Sequence, residues 1–501
     1  MIKNFNIVGT ILFSQSLATI RHQFESLRKD SFDPLDRIVI QQDSEDDYLY
    51  VDGVGSKLIE IQKIINQVDI SNCFVLLVTT NKDVANEINF VTKFYSVDTS
   101  PIEFLIENGD YKKQIKKYTN TACKKLWNHL YVGTDGNVNP CCLADHRFPM
   151  GNIDDTDVKN IIALKGEEIR SHMAQGYRNR ACASCYEKED HGINSARQPC
   201  DPHNQPLLMK NIDIRLNNIC NFKCRMCSEY FSSAIQQETI ETYDKNPILG
   251  YEKILLSTTT KQEKKQRLEK IFPFVNSELQ SIYFAGGEPL IMPEHYEILD
   301  RLIQIQNRDL NIRYNTNLSM LTYKQVDVID KWNKFNNITV GASIDASDSV
   351  AEYMRHGTVW KDIINNIRAI KDRAPHVRLH IASTVSCLTI ENLINLQNTW
   401  IEEGLFTIDD FSLNVLTSPN FLSPAVLPQH HKDRLSQLIK NHINRFEGHG
   451  LAQQWNNVLQ WMNSNDYAFA LKDFKQRNSM LDMIRDQSFV AVFPEFQDLY
   501  I

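Results

Sequence analysis

The chain has 501 residues, a formal net charge of −8 and a hydrophobic fraction of 42%, so two or three soluble domains are expected. Its acidic balance offers no broad basic surface for a nucleic-acid backbone, which argues against a nucleic-acid-modifying protein. No apolar run is long enough to span a bilayer. Polar residues interrupt positions 1–20, which favours a strand and the start of a helix over a signal peptide.

Cysteine is the most informative residue type in this sequence. Nine of the eleven cysteines lie between Cys123 and Cys227. Without an export signal a disulfide framework is not expected, so the clustering indicates metal–sulfur chemistry in a reducing, cytoplasmic compartment. Cys73 and Cys387 lie in apolar, strand-like runs and are expected to be small buried residues.

Residues 1–118 predict a small α/β domain, because strand-like runs alternate with helical patterns. The predicted strands are residues 6–13, 37–41 and 73–79, and the predicted helices are residues 17–29, 57–68 and 83–94. These residues carry no catalytic signature, and we interpret them as a scaffold or a substrate-docking domain.

Residues 119–205 predict a cysteine-rich domain built from a hairpin and a helix. Asp135-Gly136 between strand-like flanks is a hairpin signal, and residues 158–174 have a helical pattern. The hairpin would bring two cysteines to its base, and a C-x2-C pair after the helix could complete a four-thiolate site. These four candidate ligands are Cys123, Cys141, Cys182 and Cys185.

Two alternatives stay open for this region. On their own, four thiolates favour a structural zinc ion. Cys142 and Cys200 are left over, and either could replace one of the four proposed ligands.

Residues 206–447 predict a partial (β/α)6 barrel, and residues 448–501 predict helices that cap it. The predicted strands are residues 212–216, 281–284, 311–314, 338–344, 378–385 and 411–415. The predicted helices are residues 294–306, 323–334, 359–372, 390–403 and 432–446. Strands that alternate with helices favour a parallel sheet, whose chemistry gathers at the C-terminal ends of the strands.

A cysteine triplet follows the first of these strands. Cys220, Cys224 and Cys227 have C-x3-C-x2-C spacing, and Gly286-Gly-Glu-Pro289 follows the second strand. Three thiolates on one loop suit a [4Fe–4S] cluster whose fourth iron stays open. These two motifs resemble those of the radical S-adenosylmethionine (SAM) superfamily. The resemblance implies that the open iron chelates SAM and that one electron cleaves it to a 5′-deoxyadenosyl radical.

The same resemblance implies which residues contact SAM. Gly286 and Gly287 would let the backbone approach the SAM amine, Glu288 would counter its charge, and Pro289 completes the motif. Segments at the ends of later strands are similar to the family's ribose and carboxylate contacts. The residues implied there are Asn317, Ser343 and Arg355.

The cysteine-rich region is similar to the SPASM/twitch auxiliary-cluster domain that accompanies many radical SAM enzymes. The pattern C-x12-G-x4-C followed by C-x2-C matches the shorter twitch form, because His191 occupies the position of the next SPASM cysteine. The resemblance implies one auxiliary [4Fe–4S] cluster. In familiar relatives this domain follows the barrel, whereas here it precedes the barrel.

The implied function is a radical SAM enzyme that abstracts hydrogen from a substrate and takes electrons from a flavodoxin- or ferredoxin-type donor. A peptide that is oxidised or cross-linked is the first substrate hypothesis, and a small molecule is the alternative. A non-catalytic iron–sulfur or zinc protein is the competing class, but it leaves the Gly-Gly-Glu-Pro segment unexplained. No catalytic base or hydrogen donor is visible in the sequence.

Overall fold

The computed structural model describes residues 118–190, 194–215, 217–245 and 261–500, together with five short strands before them. These strands are β1 (Ile11–Phe13), β2 (Ile38–Gln42), β3 (Asp47–Val51), β4 (Leu58–Glu60) and β5 (Cys73–Val75). β2, β3 and β4 form an antiparallel sheet, and β1 pairs with β5. The helix predicted at residues 57–68 is wrong at its start. Residues 58–60 form the strand β4, which pairs with β3. The remainder of that segment and the helices predicted at 17–29 and 83–94 lie outside the described residues.

The later strands and helices begin at Lys125. The strands are β6 (His129–Val132), β7 (Asn137–Asn139), β8 (Gly151–Asn152), β9 (Asn211–Ile214), β10 (Lys223–Cys224), β11 (Ser281–Phe284), β12 (Asn311–Thr316), β13 (Thr322–Tyr323), β14 (Val326–Asp327), β15 (Asn337–Ala342), β16 (Arg355–His356), β17 (Arg378–Val385) and β18 (Phe411–Val415). The helices are α1 (Lys125–Asn128), α2 (Val158–Ala163), α3 (Lys165–Ala174), α4 (Ala183–Asp190), α5 (Ser233–Lys245), α6 (Lys261–Ile271), α7 (Pro293–Gln304), α8 (Val328–Trp332), α9 (Asp348–Met354), α10 (Trp360–Arg373), α11 (Ile390–Glu402), α12 (Gln429–Arg445), α13 (Gly450–Ser464), α14 (Leu471–Arg485) and α15 (Phe489–Val492).

The predicted parallel sheet is confirmed. β9, β11, β12, β15, β17 and β18 run parallel and are neighbours in that order, and they coincide with the six predicted strands. Alternate residues of each strand face opposite sides of the sheet. On β17, Leu379 and Ile381 are buried in the core, while His380 and Thr384 on the opposite face are only half-buried.

The hairpin extends this sheet, which the sequence did not predict. β6 pairs in parallel with β9, β7 pairs antiparallel with β6, and β8 follows, so the sheet has nine strands. Gly136 occupies the turn with φ +82°, a conformation that glycine adopts without strain. Leu130 and Val138 are fully buried in the same core as the barrel strands. The cysteine spacing suggested a separate domain, but the apolar face of the hairpin needs a partner, and β9 supplies it.

The chain divides into two compact units whose boundaries interleave along the sequence. One unit contains residues 1–123, 143–148 and 169–203, and the other contains residues 124–142, 149–168 and 204–501. The second unit holds the nine-stranded sheet and the C-terminal helices α13 to α15. Within the described residues, we find no helix with the length and apolar character needed to cross a bilayer.

The packing of β6 into the barrel core can be tested with Leu130→Ala. Leu130 is 0% exposed, so the substitution is expected to lower the free energy of unfolding by about 2–5 kcal/mol. Urea-induced unfolding followed by tryptophan fluorescence measures this change. Leu164→Ala is the matched control, because Leu164 is 75% exposed and its loss should change stability by less than about 0.5 kcal/mol. Equal effects of the two substitutions would contradict the packing described here.

Candidate functional site

The cysteine triplet lies on a loop that follows β9. β10 pairs antiparallel with β16, which places Cys224 opposite Arg355. The Arg225 amide donates a hydrogen bond to the Met354 carbonyl at 2.8 Å, and the Cys227 amide donates to the Cys224 carbonyl at 3.0 Å. Backbone hydrogen bonds therefore contribute to the position of the second half of the motif.

The three cysteines share one cavity of about 690 Å³ with most of the predicted SAM contacts. The predicted residues that line it are Gly286, Gly287, Asn317, Ser343 and Arg355. Glu288 and Pro289 are not among the lining residues. The cavity lies at the C-terminal ends of the parallel strands, and its volume is typical of a small-molecule site.

The Cys220 and Cys224 thiols are in surroundings that disfavour an isolated negative charge. Burial raises the pKa of the Cys220 thiol to about 12. Burial also raises the pKa of Cys224, against the opposing effect of the Arg355 guanidinium, whose Nη1 donates to Cys224 Sγ at 3.8 Å. Thiolates in such a place need a compensating cation, which bound iron would supply.

The two glycines are required by a close approach to the cysteine loop. A Cβ atom on Gly287 would lie 2.2 Å from the carbonyl oxygen of Ile219, which directly precedes Cys220. Gly286 has φ +104° and packs against Arg215. The next amide, that of Glu288, donates to the same Ile219 carbonyl at 2.7 Å. The end of β11 and the start of the cysteine loop are therefore in backbone contact.

Glu288 lies beneath the cavity and joins two strand ends. Its Oε1 accepts hydrogen bonds from Thr316 Oγ1 at 2.7 Å and from the Leu290 amide at 3.0 Å. Its Oε2 accepts from the Asn317 amide at 2.7 Å. Burial raises the pKa of this carboxyl, although these donors oppose the change. Glu288 thus holds the end of β12 in place. Its contact with the SAM amine stays a prediction.

Asn317 and Ser343 lie at neighbouring strand ends on the cavity wall. Asn317 Nδ2 donates to Asn221 Oδ1 at 3.0 Å, a contact that reaches the residue after Cys220. The Ser343 amide donates to the Thr316 carbonyl at 2.8 Å. Both residues are therefore placed where polar side chains can face a bound molecule.

Arg355 already has a carboxylate partner. Its Nε and Nη2 donate to the two oxygens of Asp345 at 2.7 and 3.0 Å, and Asp345 Oδ1 also accepts from the Thr384 amide at 2.7 Å. This bidentate pair joins the cysteine loop to the ends of β15 and β17. The predicted contact of Arg355 with the SAM carboxylate stays a prediction.

The predicted auxiliary ligands fall in different parts of the chain. Cys123, Cys182 and Cys185 belong to the first compact unit, and Cys141 belongs to the second. Within the first unit, Cys123 Sγ accepts from the Gln198 amide at 3.4 Å. Cys123 also forms a β-bridge with Pro199, the residue before Cys200. The proposed four-cysteine set and its alternatives stay predictions.

The spacing of the barrel cysteines differs from that of a zinc site. A zinc ion bound by thiolates at about 2.3 Å would bring the sulfurs to about 3.8 Å from one another. The described residues contain a group of three metal-ligand atoms within 4.8 Å, but the sulfurs of Cys220, Cys224 and Cys227 do not form one.

Within the described residues, the ligand atoms of His430, His431 and Asp498 lie within 4.8 Å of one another. Both histidine Nε2 atoms lie 2.9 Å from an oxygen of Asp498, which are ordinary hydrogen-bond distances. The contact lies at the N-terminal end of α12, where the helix dipole favours a carboxylate. We interpret this group as an anchor for the C-terminal segment.

The sequence did not reveal a row of polar side chains that lies across four neighbouring strands of the sheet. Strand register places Tyr131, Asp213, Tyr283 and Arg313 side by side, and Arg215 at the end of β9 lines the cavity. The only signal in the sequence was the alternation Asp213-Ile-Arg215 within an apolar strand. Without the register of β6 against β9, that alternation could not be assigned to a site.

Two family models match the chain at separate segments. The model of the Radical SAM superfamily covers residues 214–392, and the SPASM model, an iron–sulfur cluster-binding domain, covers residues 123–186. The chain therefore contains a radical SAM domain and a SPASM domain. A search among curated proteins gave no match.

Solved structures of radical SAM enzymes are distantly similar to this chain. The structure "Native anSMEcpe with bound AdoMet" has 16% identity and a TM-score of 0.29 over 56% of this chain and 67% of its own. Streptococcus suis SuiB bound to S-adenosylmethionine has 15% identity and a TM-score of 0.29 over 58% of this chain. The chain spans only 61% of SuiB. TM-scores this low do not support inferences about substrate.

The close approach at Gly287 predicts that a single methyl group disturbs the cysteine loop. In Gly287→Ala, the new Cβ would overlap the Ile219 carbonyl, so the loop must move and the iron retained after anaerobic reconstitution should fall. Gly450→Ala is the control, because a Cβ at Gly450 meets nothing within 4 Å. Wild-type iron content in Gly287→Ala would contradict the importance of this contact.

Proposed function

We propose that this protein is a radical SAM enzyme, in which Cys220, Cys224 and Cys227 hold a [4Fe–4S] cluster and leave one iron open to SAM. The observation that carries the proposal is that the three cysteines and Gly286-Gly287 line one cavity at the C-terminal ends of parallel strands. The match of residues 214–392 to the Radical SAM model supports it.

The residues around the cavity fit both the [4Fe–4S] cluster and SAM. The three thiols suit iron, and Arg355 is close enough to Cys224 to balance thiolate charge. Gly286 and Gly287 leave backbone accessible to the amino-acid part of SAM, while Asn317 and Ser343 offer an amide and a hydroxyl to its polar groups. Glu288 positions this wall from beneath through the end of β12.

When bound, the cluster supplies one electron that cleaves SAM to a 5′-deoxyadenosyl radical, which abstracts a hydrogen atom from the substrate. The protein binds and orients the reactants and limits the access of water to the cavity. A flavodoxin- or ferredoxin-type protein is the proposed electron donor.

We further propose an auxiliary [4Fe–4S] cluster held by the cysteine-rich region that precedes the barrel. The proposed ligands are Cys123, Cys141, Cys182 and Cys185. The SPASM match to residues 123–186 spans all four and supports iron–sulfur binding in this segment. Such a cluster could accept an electron from a substrate radical and make the overall reaction an oxidation.

A peptide is the proposed substrate, and oxidation or cross-linking of its side chains is the proposed reaction. The cavity continues from the cysteines between α5 and α14, where apolar and polar side chains alternate. The lining residues there include Ile235, Thr239, Thr242, Arg477, Leu481 and Ile484. Such a mixed lining supports binding of a short chain with both kinds of side chain; a small molecule that is oxidised in the same cavity is the second candidate.

Reductive cleavage of SAM is the first test of the proposal. Reconstituted protein with SAM and dithionite should form 5′-deoxyadenosine, measured by liquid chromatography, and Cys224→Ala should abolish it because the cluster loses a ligand. Cys387→Ala is the control, since Cys387 is fully buried in the core and is not among the cavity-lining residues. Absence of 5′-deoxyadenosine from wild-type protein with a full cluster would refute the enzyme class.

Metal content separates the proposal from a zinc-stabilised protein. Two cubane clusters require about eight irons per chain, and elemental analysis of anaerobically reconstituted protein should approach that number. The quadruple substitution of Cys123, Cys141, Cys182 and Cys185 by alanine should remove about four irons and leave the barrel cluster. Zinc at one per chain with little iron would favour the structural alternative.

A further inference from the structure

Arg225, which lies between the second and third motif cysteines, is held by the C-terminal helices. Its side chain is 0% exposed. Nη2 donates to Asp482 Oδ1 at 2.6 Å and to Gln487 Oε1 at 3.0 Å. Nη1 donates to Asn478 Oδ1 at 3.0 Å, and Nε donates to the Tyr353 carbonyl at 3.1 Å.

Asp482 on α14 is the centre of this contact. Besides Arg225, its Oδ1 accepts from the Tyr353 hydroxyl at 2.8 Å. Its Oδ2 accepts from the Phe489 amide at 2.7 Å and from the Tyr500 hydroxyl at 3.3 Å. One carboxylate therefore joins α14, the start of α15 and the C-terminal end of the chain to the cysteine loop.

A second ion-pair group holds the residue before Cys224. Lys223 Nζ donates to Glu238 Oε1 at 2.7 Å. Arg485, the last residue of α14, donates to both oxygens of Glu238, with Nη2 to Oε2 at 2.7 Å. Both neighbours of Cys224 are thus held by charged groups of α5 and α14.

A segment that only covered the barrel would not need two groups of ion pairs beside the cysteine loop. A buried ion pair contributes little net stability, but removal of one partner leaves an uncompensated buried charge. Ion pairs of this kind are best explained where a particular register must be fixed. Here the register is that of Cys224 relative to Cys227, two of the three proposed iron ligands.

We propose that Asp482 is a positioning residue for the cluster, so that the segment 471–500 is part of the cluster site. By holding Arg225, Asp482 sets the separation of the two thiolates on either side of it in the sequence and balances the buried charge of Arg225. This inference rests on the proposed function, because it assigns Asp482 a role toward the cluster that the three cysteines would bind.

The role predicts a change in the electronic properties of the cluster as well as in its binding. Asp482→Asn removes one negative charge and leaves the positive charge of Arg225, the residue directly after Cys224, without a carboxylate partner. Cluster reduction potentials depend on net charge and hydrogen bonding in their surroundings. The midpoint potential should therefore become more positive in Asp482→Asn.

Three variants and a control distinguish an effect on the position of the thiolates from an effect of the charge of Asp482. Asp482→Asn removes the charge, and Asp482→Glu keeps it with a longer side chain. The double variant Arg225→Met/Asp482→Leu removes both charges, so neither is left buried and unpaired, although the Tyr353 hydroxyl and the Phe489 amide lose their acceptor. It tests the idea even if Asp482→Asn does not fold. Glu391→Gln is the control, because it breaks a partly exposed ion pair with Arg434 far along the sequence.

The measurements are retained iron, the midpoint potential, the electron paramagnetic resonance spectrum of the reduced cluster with SAM, and 5′-deoxyadenosine formation. Asp482→Asn should shift the potential upward, change the spectrum and slow 5′-deoxyadenosine formation by about 10- to 100-fold. The double variant should regain a potential near that of wild type but keep the altered spectrum and slow cleavage. Asp482→Glu should recover part of the rate, and Glu391→Gln should match wild type.

Each outcome has one interpretation. Wild-type spectrum, potential and rate in both Asp482→Asn and the double variant would overturn the positioning role and leave the proposed function intact. Full recovery in the double variant would also overturn it, since the pair would then serve only to bury Arg225. A wild-type protein that binds no cluster at the triplet would overturn the proposed function, and the positioning role with it.

Discussion

The close contact between Gly287 and the carbonyl of Ile219 is the constraint on which the site depends. It brings the end of β11 against the loop that carries Cys220, at a distance that leaves no room for a side chain. The Glu288 amide then hydrogen-bonds the same carbonyl, and the Glu288 carboxylate binds the end of β12. The loop, the glycine segment and Asn317 are therefore positioned together by backbone contacts.

Two buried ion pairs position the part of the cysteine loop that contains Cys224 and Arg225. Arg355 pairs with Asp345 and also contacts Cys224, whereas Arg225 points away and pairs with Asp482. Each buried guanidinium has a carboxylate partner, which avoids the large penalty of an unpaired buried charge. Asp345 follows β15 and Asp482 lies on α14, so the geometry around Cys224 and Arg225 depends on residues more than a hundred positions away in the sequence.

The sequence predicted those parts of the structure that depend on local patterns. Six strands were visible as short apolar runs followed by helical periodicity, and the cysteine triplet and Gly286-Gly287 were identified by spacing alone. The parts that depend on long-range register could not be predicted. β6 joins the barrel because its apolar face matches β9, and nothing local distinguishes that from a separate hairpin.

Individual site residues follow the same division. The contact of Glu288 with SAM stays a prediction, whereas its hydrogen bonds to Thr316, Leu290 and Asn317 could be found only from the fold. Arg355 and Arg225 look alike in the sequence, and only their partners give them different roles. The helices after residue 448 were expected as a cap, yet their buried face includes Asn478 and Asp482, polar residues whose partner lies in the cysteine loop.

The central claim is that one iron at the Cys220, Cys224 and Cys227 cluster is open to SAM. Electron–nuclear double resonance of the reduced protein, with SAM labelled by nitrogen-15 in the amino group and oxygen-17 in the carboxylate, tests this most directly. The account predicts hyperfine coupling from both labels to the cluster, and loss of that coupling when unlabelled SAM is used. An intact reduced cluster that shows no coupling to either label would mean that its fourth iron is closed to SAM, and would contradict the account.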